Sequence, residues 1–119
     1  MSLFKKKSAF ESKVDQMRVQ AEKQRQFDLE NTNMCYQGMD AQRAGDIQKA
    51  INIYEALLQR GFDGTHPYRG LCEIYHKQER YADEIRVIKQ LIKVTPKARY
   101  NEGDKYRWYD KRLKELTKK

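Results

Sequence analysis

The aliphatic and phenylalanine side chains of this 119-residue sequence are concentrated in one central stretch. Residues 47–94 contain 14 of its 23 Leu, Ile, Val and Phe residues, whereas the first 46 residues contain 7 and the last 25 contain 2. Because burial of apolar side chains drives folding, only the centre can build a core of its own. We expect one small domain, with both ends folding against that core or against another surface.

The residue pattern indicates helix throughout and strand nowhere. No segment alternates β-branched and polar residues, and good helix formers such as Gln, Glu, Lys, Arg, Ala and Leu dominate. The 2 prolines and most of the 6 glycines fall between periodic segments, as helix-ending residues do. We therefore predict an all-α fold. The first predicted helices cover 8–30 and about 31–44, and the sequence leaves open whether they are continuous, because Asn31-Thr32-Asn33 is the only plausible interruption. The next helix stops at Gly61, another follows Thr65 and ends at a turn near residues 78–80, a further helix is closed by Thr95-Pro96, and the last covers about 101–117.

Short polar and glycine segments define the expected helix ends. Gly45 is predicted to stop one helix and Asp46 to cap the next, Gly61 to stop again, and Thr65 to cap the helix that carries Pro67 in its first turn. The side chains predicted to face inward recur every three or four residues. They are Ile47, Ala50, Ile51, Tyr54, Leu57 and Leu58, then Tyr68, Leu71, Cys72 and Tyr75, then Ile85, Ile88, Leu91 and Ile92, and finally Tyr106, Tyr109, Leu113 and Leu116.

Residue classes repeat weakly at an offset of 34 residues, which aligns Gly38 with Cys72, Ile51 with Ile85 and Leu57 with Leu91. The two copies place small residues where helices would approach closely, and larger residues around them. The first copy reads Met34, Gln37-Gly38, Ala41, Ala50, Tyr54 and Phe62, and the second reads Tyr68, Leu71-Cys72, Tyr75, Glu84, Ile88 and Pro96. This spacing resembles the tetratricopeptide repeat.

The resemblance implies two tetratricopeptide-like helical hairpins, residues 31–64 and 65–98. A basic helical arm over 1–30 precedes them, and a capping helix over 99–119 follows. Glu84 stands where the repeat has alanine, a departure that disfavours close helix approach there, and another helical hairpin bundle is the alternative. Two repeats are fewer than such arrays need, so we expect the stripe of Phe10, Val14 and Met17 to cover one end, within the chain or by pairing in a homodimer.

Motifs for catalysis or for cofactor binding are missing. The sequence contains no phosphate-binding loop, dinucleotide fingerprint, zinc-protease motif or nucleophile elbow. His66 and His76 are not at metal-ligand spacing with Cys35 or Cys72, and both cysteines are interpreted as buried thiols. Cys72 and His76 lie one turn apart, but no third catalytic group accompanies them. We expect no enzyme activity, no metal and no cofactor.

The resemblance places the binding surface on the leading helix of each hairpin and on the terminal helix. In tetratricopeptide proteins this face lines a concave groove for partner peptides or helices. The residues it implies here are Met39, Gln42, Arg69, Glu73, His76 and Arg107. The alternative is a solvated face without a ligand. The Lys, Asn and Arg clamp of the chaperone-binding members is missing, because Cys35, Met39 and Gly70 occupy its places.

Positive charge is greatest at the C-terminal end, where residues 99–119 carry an excess of +4 within a total of +8. Lys105, Arg107 and Lys111 interleave with Tyr106 and Trp108, a pattern that attracts phosphates and stacks bases, although acidic residues interrupt it. We expect a cytoplasmic, non-enzymatic adaptor for a protein or peptide partner, with acidic partners favoured. A basic helical nucleic-acid-binding or regulatory protein is the alternative, and no membrane association is expected, since no apolar run could span a bilayer.

Overall fold

A computed structural model describes residues 8–94 and 104–118, with side chains described for 8–94 and 109–118. Helix accounts for 87% of these residues and none is in a strand, so the all-α prediction is confirmed. The helices are α1 (Ala9–Arg43), α2 (Ile47–Gln59), α3 (Thr65–Lys77), α4 (Tyr81–Val94) and α5 (Asp104–Thr117). The predicted stop at Thr95-Pro96, the start of the last helix at Asn101 and the side chain of Tyr106 lie outside the described residues.

The segments predicted as helix over 8–30 and 31–44 form one continuous helix, α1, which answers the question of continuity that the sequence left open. The segment Asn31-Thr32-Asn33 does not interrupt it. The Thr32 hydroxyl donates to the Asp28 carbonyl oxygen at 2.9 Å, one turn earlier, so this polar side chain bonds along the helix rather than ending it. The chain divides into two compact units, Met1–Thr32 and Asn33–Lys119.

Glycines end α1 and α2 at the predicted places. Gly45 has φ of +80° and Gly61 has φ of +77°, a left-handed conformation that glycine adopts without the steric cost of a Cβ atom. The backbone N–H of Asp46 then donates to the Ala41 carbonyl at 2.9 Å, closing the helix end. The capping predictions were less accurate. Asp46 precedes α2 without a capping bond from its side chain, and the cap assigned to Thr65 was wrong, because Gly64 occupies that position.

The core forms between consecutive helices of the second unit: α2 packs on α3, α3 on α4, and α4 on α5. Every predicted inward residue of α3 is buried, as are most of those of α2. The buried face of α4 differs from the predicted one. Ile85, predicted to face inward, is only half-buried, whereas Glu84 and Val87, which were not predicted to face inward, are fully buried. The largest fully buried side chains are Tyr54, Tyr68, Tyr75, Leu57, Leu71, Ile88 and Leu91.

The aromatic ring of Tyr54 is held between two glycines from different helices. A Cβ atom added to Gly38 of α1, or to Gly70 of α3, would lie 2.5 Å from a ring carbon of Tyr54. Neither contact leaves room for a methyl group, so both glycines are needed for the ring to fit. The close approach expected at Gly38 is therefore present, and Gly70 supplies a second one that the repeat pattern did not predict.

Alternate helices also touch. On one side of the unit, Arg86 of α4 donates to Glu55 of α2 at 2.8 Å, and the Gln90 side-chain amide donates to the Leu58 carbonyl oxygen at 3.1 Å. The contacts move from Glu55 to Leu58 along α2 and from Arg86 to Gln90 along α4. The two helices therefore run in the same direction. On the other side, His76 of α3 contacts Arg112 of α5.

Candidate functional site

Two grooves flank α3 in the second unit, one on each side. The larger, of about 720 Å³, lies between α3 and α5, and α4 contributes to it. The smaller, of about 340 Å³, lies between the C-terminal part of α1 and α3. The larger is lined by Arg69, Cys72, Glu73, His76, Lys77, Glu84, Tyr109 and Arg112, and the smaller by Met39, Gln42, Arg43, His66, Arg69, Gly70 and Glu73.

The structure brings most of the predicted binding residues to these grooves. Met39 and Gln42 line the smaller groove and His76 lines the larger. Arg69 and Glu73 line both, so they form the ridge where the two grooves meet. The Arg69 Nε atom lies 3.7 Å from a Glu73 carboxylate oxygen, and both side chains remain more than half exposed. The last predicted residue, Arg107, belongs to α5, but its side chain lies outside the described residues.

Gln42 is fixed at the wall of the smaller groove by a core residue. The Tyr54 hydroxyl donates to its Oε1 atom at 2.9 Å. Burial of the phenol, and then the nearby Cys35 and Glu73, raise the pKa of Tyr54 to about 12, so the hydroxyl remains a donor at neutral pH. The tyrosine that separates Gly38 from Gly70 therefore also orients a groove side chain.

A buried carboxylate lies at the base of the larger groove. The Glu84 side chain is 1% exposed. Its Oε1 atom lies 2.9 Å from His76 Nδ1, while Oε2 lies 3.8 Å from Arg112 Nη1 and has no hydrogen-bond partner. Arg112 Nη1 is also 2.9 Å from His76 Nε2. The same Nη1 atom lies 2.7 Å from His76 Nδ1, so the Arg112 guanidinium contacts both ring nitrogens and the three side chains form one cluster.

Glu84 is one of the lining residues that the sequence analysis did not select as binding residues. It appeared only as a departure from the repeat pattern, a charged residue where alanine is expected. A buried carboxylate is costly unless cationic or hydrogen-bonding groups accompany it. The departure was therefore a usable signal, because it implied compensating groups from neighbouring helices, which the structure identifies as His76 and Arg112.

Cys72 lines the larger groove but is not suited to nucleophilic chemistry. The residue is 2% exposed. Burial, followed by the nearby charge of Glu84, raises the pKa of the Cys72 thiol to about 12. Burial also raises the pKa of Cys35. Since the thiolate is the reactive form, neither cysteine is activated, and both fit the interpretation as buried thiols.

We expect both native thiols to react slowly with a disulfide reagent such as DTNB in the folded protein. A rise in pKa from 9.0 to about 12 lowers the thiolate fraction of Cys72 at pH 8 on the order of a thousandfold. The measurement compares the rate at which absorbance rises as thiols react with DTNB in the folded chain and in the chain unfolded in urea. The Ser12→Cys variant, with its cysteine at an exposed position, is the fast-reacting control. Equal rates for Cys72 before and after unfolding would contradict the prediction.

The cation-rich C-terminal helix is partly neutralised where its side chains are described. Arg112 faces Glu84, and Lys114 Nζ lies 3.4 Å from an Asp110 carboxylate oxygen. The side chains of Lys105 and Trp108, which belong to the predicted phosphate-binding pattern, lie outside the described residues. Among the described helices, none combines the length and apolar character needed to cross a bilayer.

The two grooves present charged and hydrogen-bonding side chains on the surfaces of α1, α3 and α5. In the described part of the chain, no three His, Cys, Asp or Glu side chains are grouped so as to hold a metal ion. Comparison of the sequence with protein-family models and with curated proteins, and of the structure with solved structures, found no match in any of the three.

Proposed function

We propose that this protein is a non-enzymatic interaction module that binds an extended segment or a helix of a protein partner along α3, across both grooves. The observation that carries the proposal is that the two grooves meet at Arg69 and Glu73, giving one surface that reaches from Met39 to Arg112. A surface of this kind presents side chains from three helices to a ligand lying across them. Such a surface suits a peptide better than a small molecule.

The arrangement of the helices supports a tetratricopeptide-like stack as the framework of this surface. Contacts between α2 and α4 on one side, and between α3 and α5 on the other, are those expected when successive helical hairpins are placed side by side. The placement of Tyr54 against Gly38 and Gly70 joins the end of α1 to the same stack. In this proposal α1, α3 and α5 are the leading helices that form the groove.

The charges of the lining residues favour an acidic partner. Arg43, Arg69, Lys77 and Arg112 line the grooves, against the two carboxylates Glu73 and Glu84. Glu84 is buried and faces Arg112, so its charge is compensated locally. The accessible charge of the surface is therefore positive, which attracts acidic segments and disfavours basic ones.

The test begins with the full chain as bait for a displayed library of random 12-residue peptides. Recovered peptides are then titrated, by fluorescence anisotropy, against the wild type and the Arg69→Glu variant. We expect enrichment in Asp and Glu, and about a tenfold or greater loss of affinity for Arg69→Glu. The matched control is Lys89→Glu, which makes the same charge change at an exposed position on α4 that lines neither groove.

Three results would contradict the proposal. The first is that no peptide is recovered, and the second is that Lys89→Glu weakens binding as much as Arg69→Glu does. The third is tight, steeply salt-dependent binding of random single-stranded DNA in a gel shift, which would favour the nucleic-acid alternative. A cytoplasmic location remains part of the proposal, and immunofluorescence of the tagged chain in its native cell tests it.

A further inference from the structure

The N-terminal part of α1 is helical although almost none of its surface is covered. Every residue from Ser8 to Glu30 is exposed, except Val14 and Asp15, which are half-buried. Large apolar side chains are among those exposed, with Phe10 at 76% and Met17 at 62%. Helices in proteins derive most of their stability from packing an apolar face, so this segment requires a partner surface.

The spacing of the apolar residues indicates another helix as that partner. Phe10, Val14, Met17 and Ala21 recur at steps of four, three and four residues along α1. This is the spacing that keeps one narrow stripe facing a second helix in a coiled coil. We define these four residues as the α1 seam.

The sizes of the seam residues match a second copy of the same helix in the antiparallel orientation. If Val14 of one copy packs beside Met17 of the second, then Phe10 packs beside Ala21. Each layer then combines a larger and a smaller side chain, so the four layers fill evenly, as close packing requires. Parallel pairing would instead place Phe10 against Phe10 and Ala21 against Ala21.

The charges beside the seam select the same orientation. In the antiparallel pair, Glu11 of each copy lies next to Arg18 of the second, giving two attractive contacts. In a parallel pair, Lys13 of one copy would lie next to Arg18 of the second, giving two repulsive contacts. We propose that the chain self-associates through an antiparallel pairing of two α1 seams, with a second copy of this chain as the occupant.

The first test measures the mass of the full chain by sedimentation equilibrium over a range of concentrations. We expect a monomer–dimer equilibrium that is abolished by Met17→Ser. The matched control is Val19→Ser, because Val19 is also exposed, at 53%, but lies on the opposite side of α1 from the seam. These side chains are all exposed, so thermal melting of the core should not change in either variant. A monomer at every concentration, or equal effects of the two variants, would overturn the proposal.

The second test determines the orientation. Arg18→Glu should weaken the antiparallel dimer about tenfold, and adding Glu11→Arg should restore it. In a parallel dimer the single change would strengthen association, because it removes the contact with Lys13. As an independent readout, chains carrying Val14→Cys should form disulfides with chains carrying Met17→Cys in preference to pairing with themselves. Strengthening by Arg18→Glu, or preferred Val14→Cys homodimers, would refute the antiparallel pairing.

Discussion

Replacing Arg112 with alanine is expected to lower the free energy of unfolding by about 3 kcal/mol or more, measured by urea denaturation followed by circular dichroism. Among the described Lys and Arg side chains, Arg112 is the one that pairs with the fully buried carboxylate of Glu84, with a distance of 3.8 Å between Nη1 and Oε2. Its removal leaves that charge with His76 as its remaining described partner. The cost is that of a buried, incompletely compensated charge, which is larger than the gain from the intact pair.

A double variant separates this explanation from simple loss of packing. If the buried charge causes the effect, Glu84→Ala combined with Arg112→Ala should be more stable than Arg112→Ala alone. Arg86→Ala is the control, because Arg86 also pairs with a carboxylate, that of Glu55, but is 45% exposed. Its removal should cost less than about 1 kcal/mol. Equal costs for the Arg86 and Arg112 variants would show that burial of Glu84 does not determine the energetics.

Tyr54→Ala is expected to lower the free energy of unfolding by about 3–5 kcal/mol in the same measurement, because it empties a ring-sized volume in the core. The ring is 1% exposed and is enclosed by Gly38 and Gly70. In the wild type, Gly38→Ala should be destabilising, by about 1 kcal/mol, since overpacking against the ring exceeds the gain in helix propensity.

The sign of the Gly38→Ala effect should reverse in the Tyr54→Ala background. There the added methyl group enters the vacated space, and alanine's higher helix propensity stabilises α1 by up to about 1 kcal/mol. Gln37→Ala is the control for helix propensity, because Gln37 is exposed on the same helix. This substitution should change the free energy of unfolding by the same amount in both backgrounds. If Gly38→Ala were destabilising by the same amount in both backgrounds, contact with the Tyr54 ring would not explain the glycine.

The candidate site was partly predictable, and the part that was missed has a specific physical cause. Met39, Gln42, Arg69, Glu73 and His76 were selected because the resemblance to the tetratricopeptide repeat assigns one face of the leading helices to a groove, and helical spacing determines which side chains share that face. They line two grooves that share Arg69 and Glu73. Whether they bind a partner stays a prediction.

Glu84 and Gly70 were not selected, because their roles arise between helices rather than along one. Glu84 fits the core through groups from α3 and α5, and Gly70 is required only because Tyr54 of α2 lies against it. Spacing along one helix carries no information about which atoms a neighbouring helix brings near. Sequence reasoning could mark Glu84 as unusual, but it could not name its partners.

The sequence by itself determined the helical class, the turns at Gly45 and Gly61, and most of the buried faces, because backbone propensity and apolar periodicity act over a few residues. Only the tertiary structure decided that α1 continues through Asn31-Thr32-Asn33, that Tyr54 fits between two glycines, and that Glu84 is buried beside His76 and Arg112. These features depend on packing and on electrostatic compensation between helices distant in the chain, which local preferences do not encode.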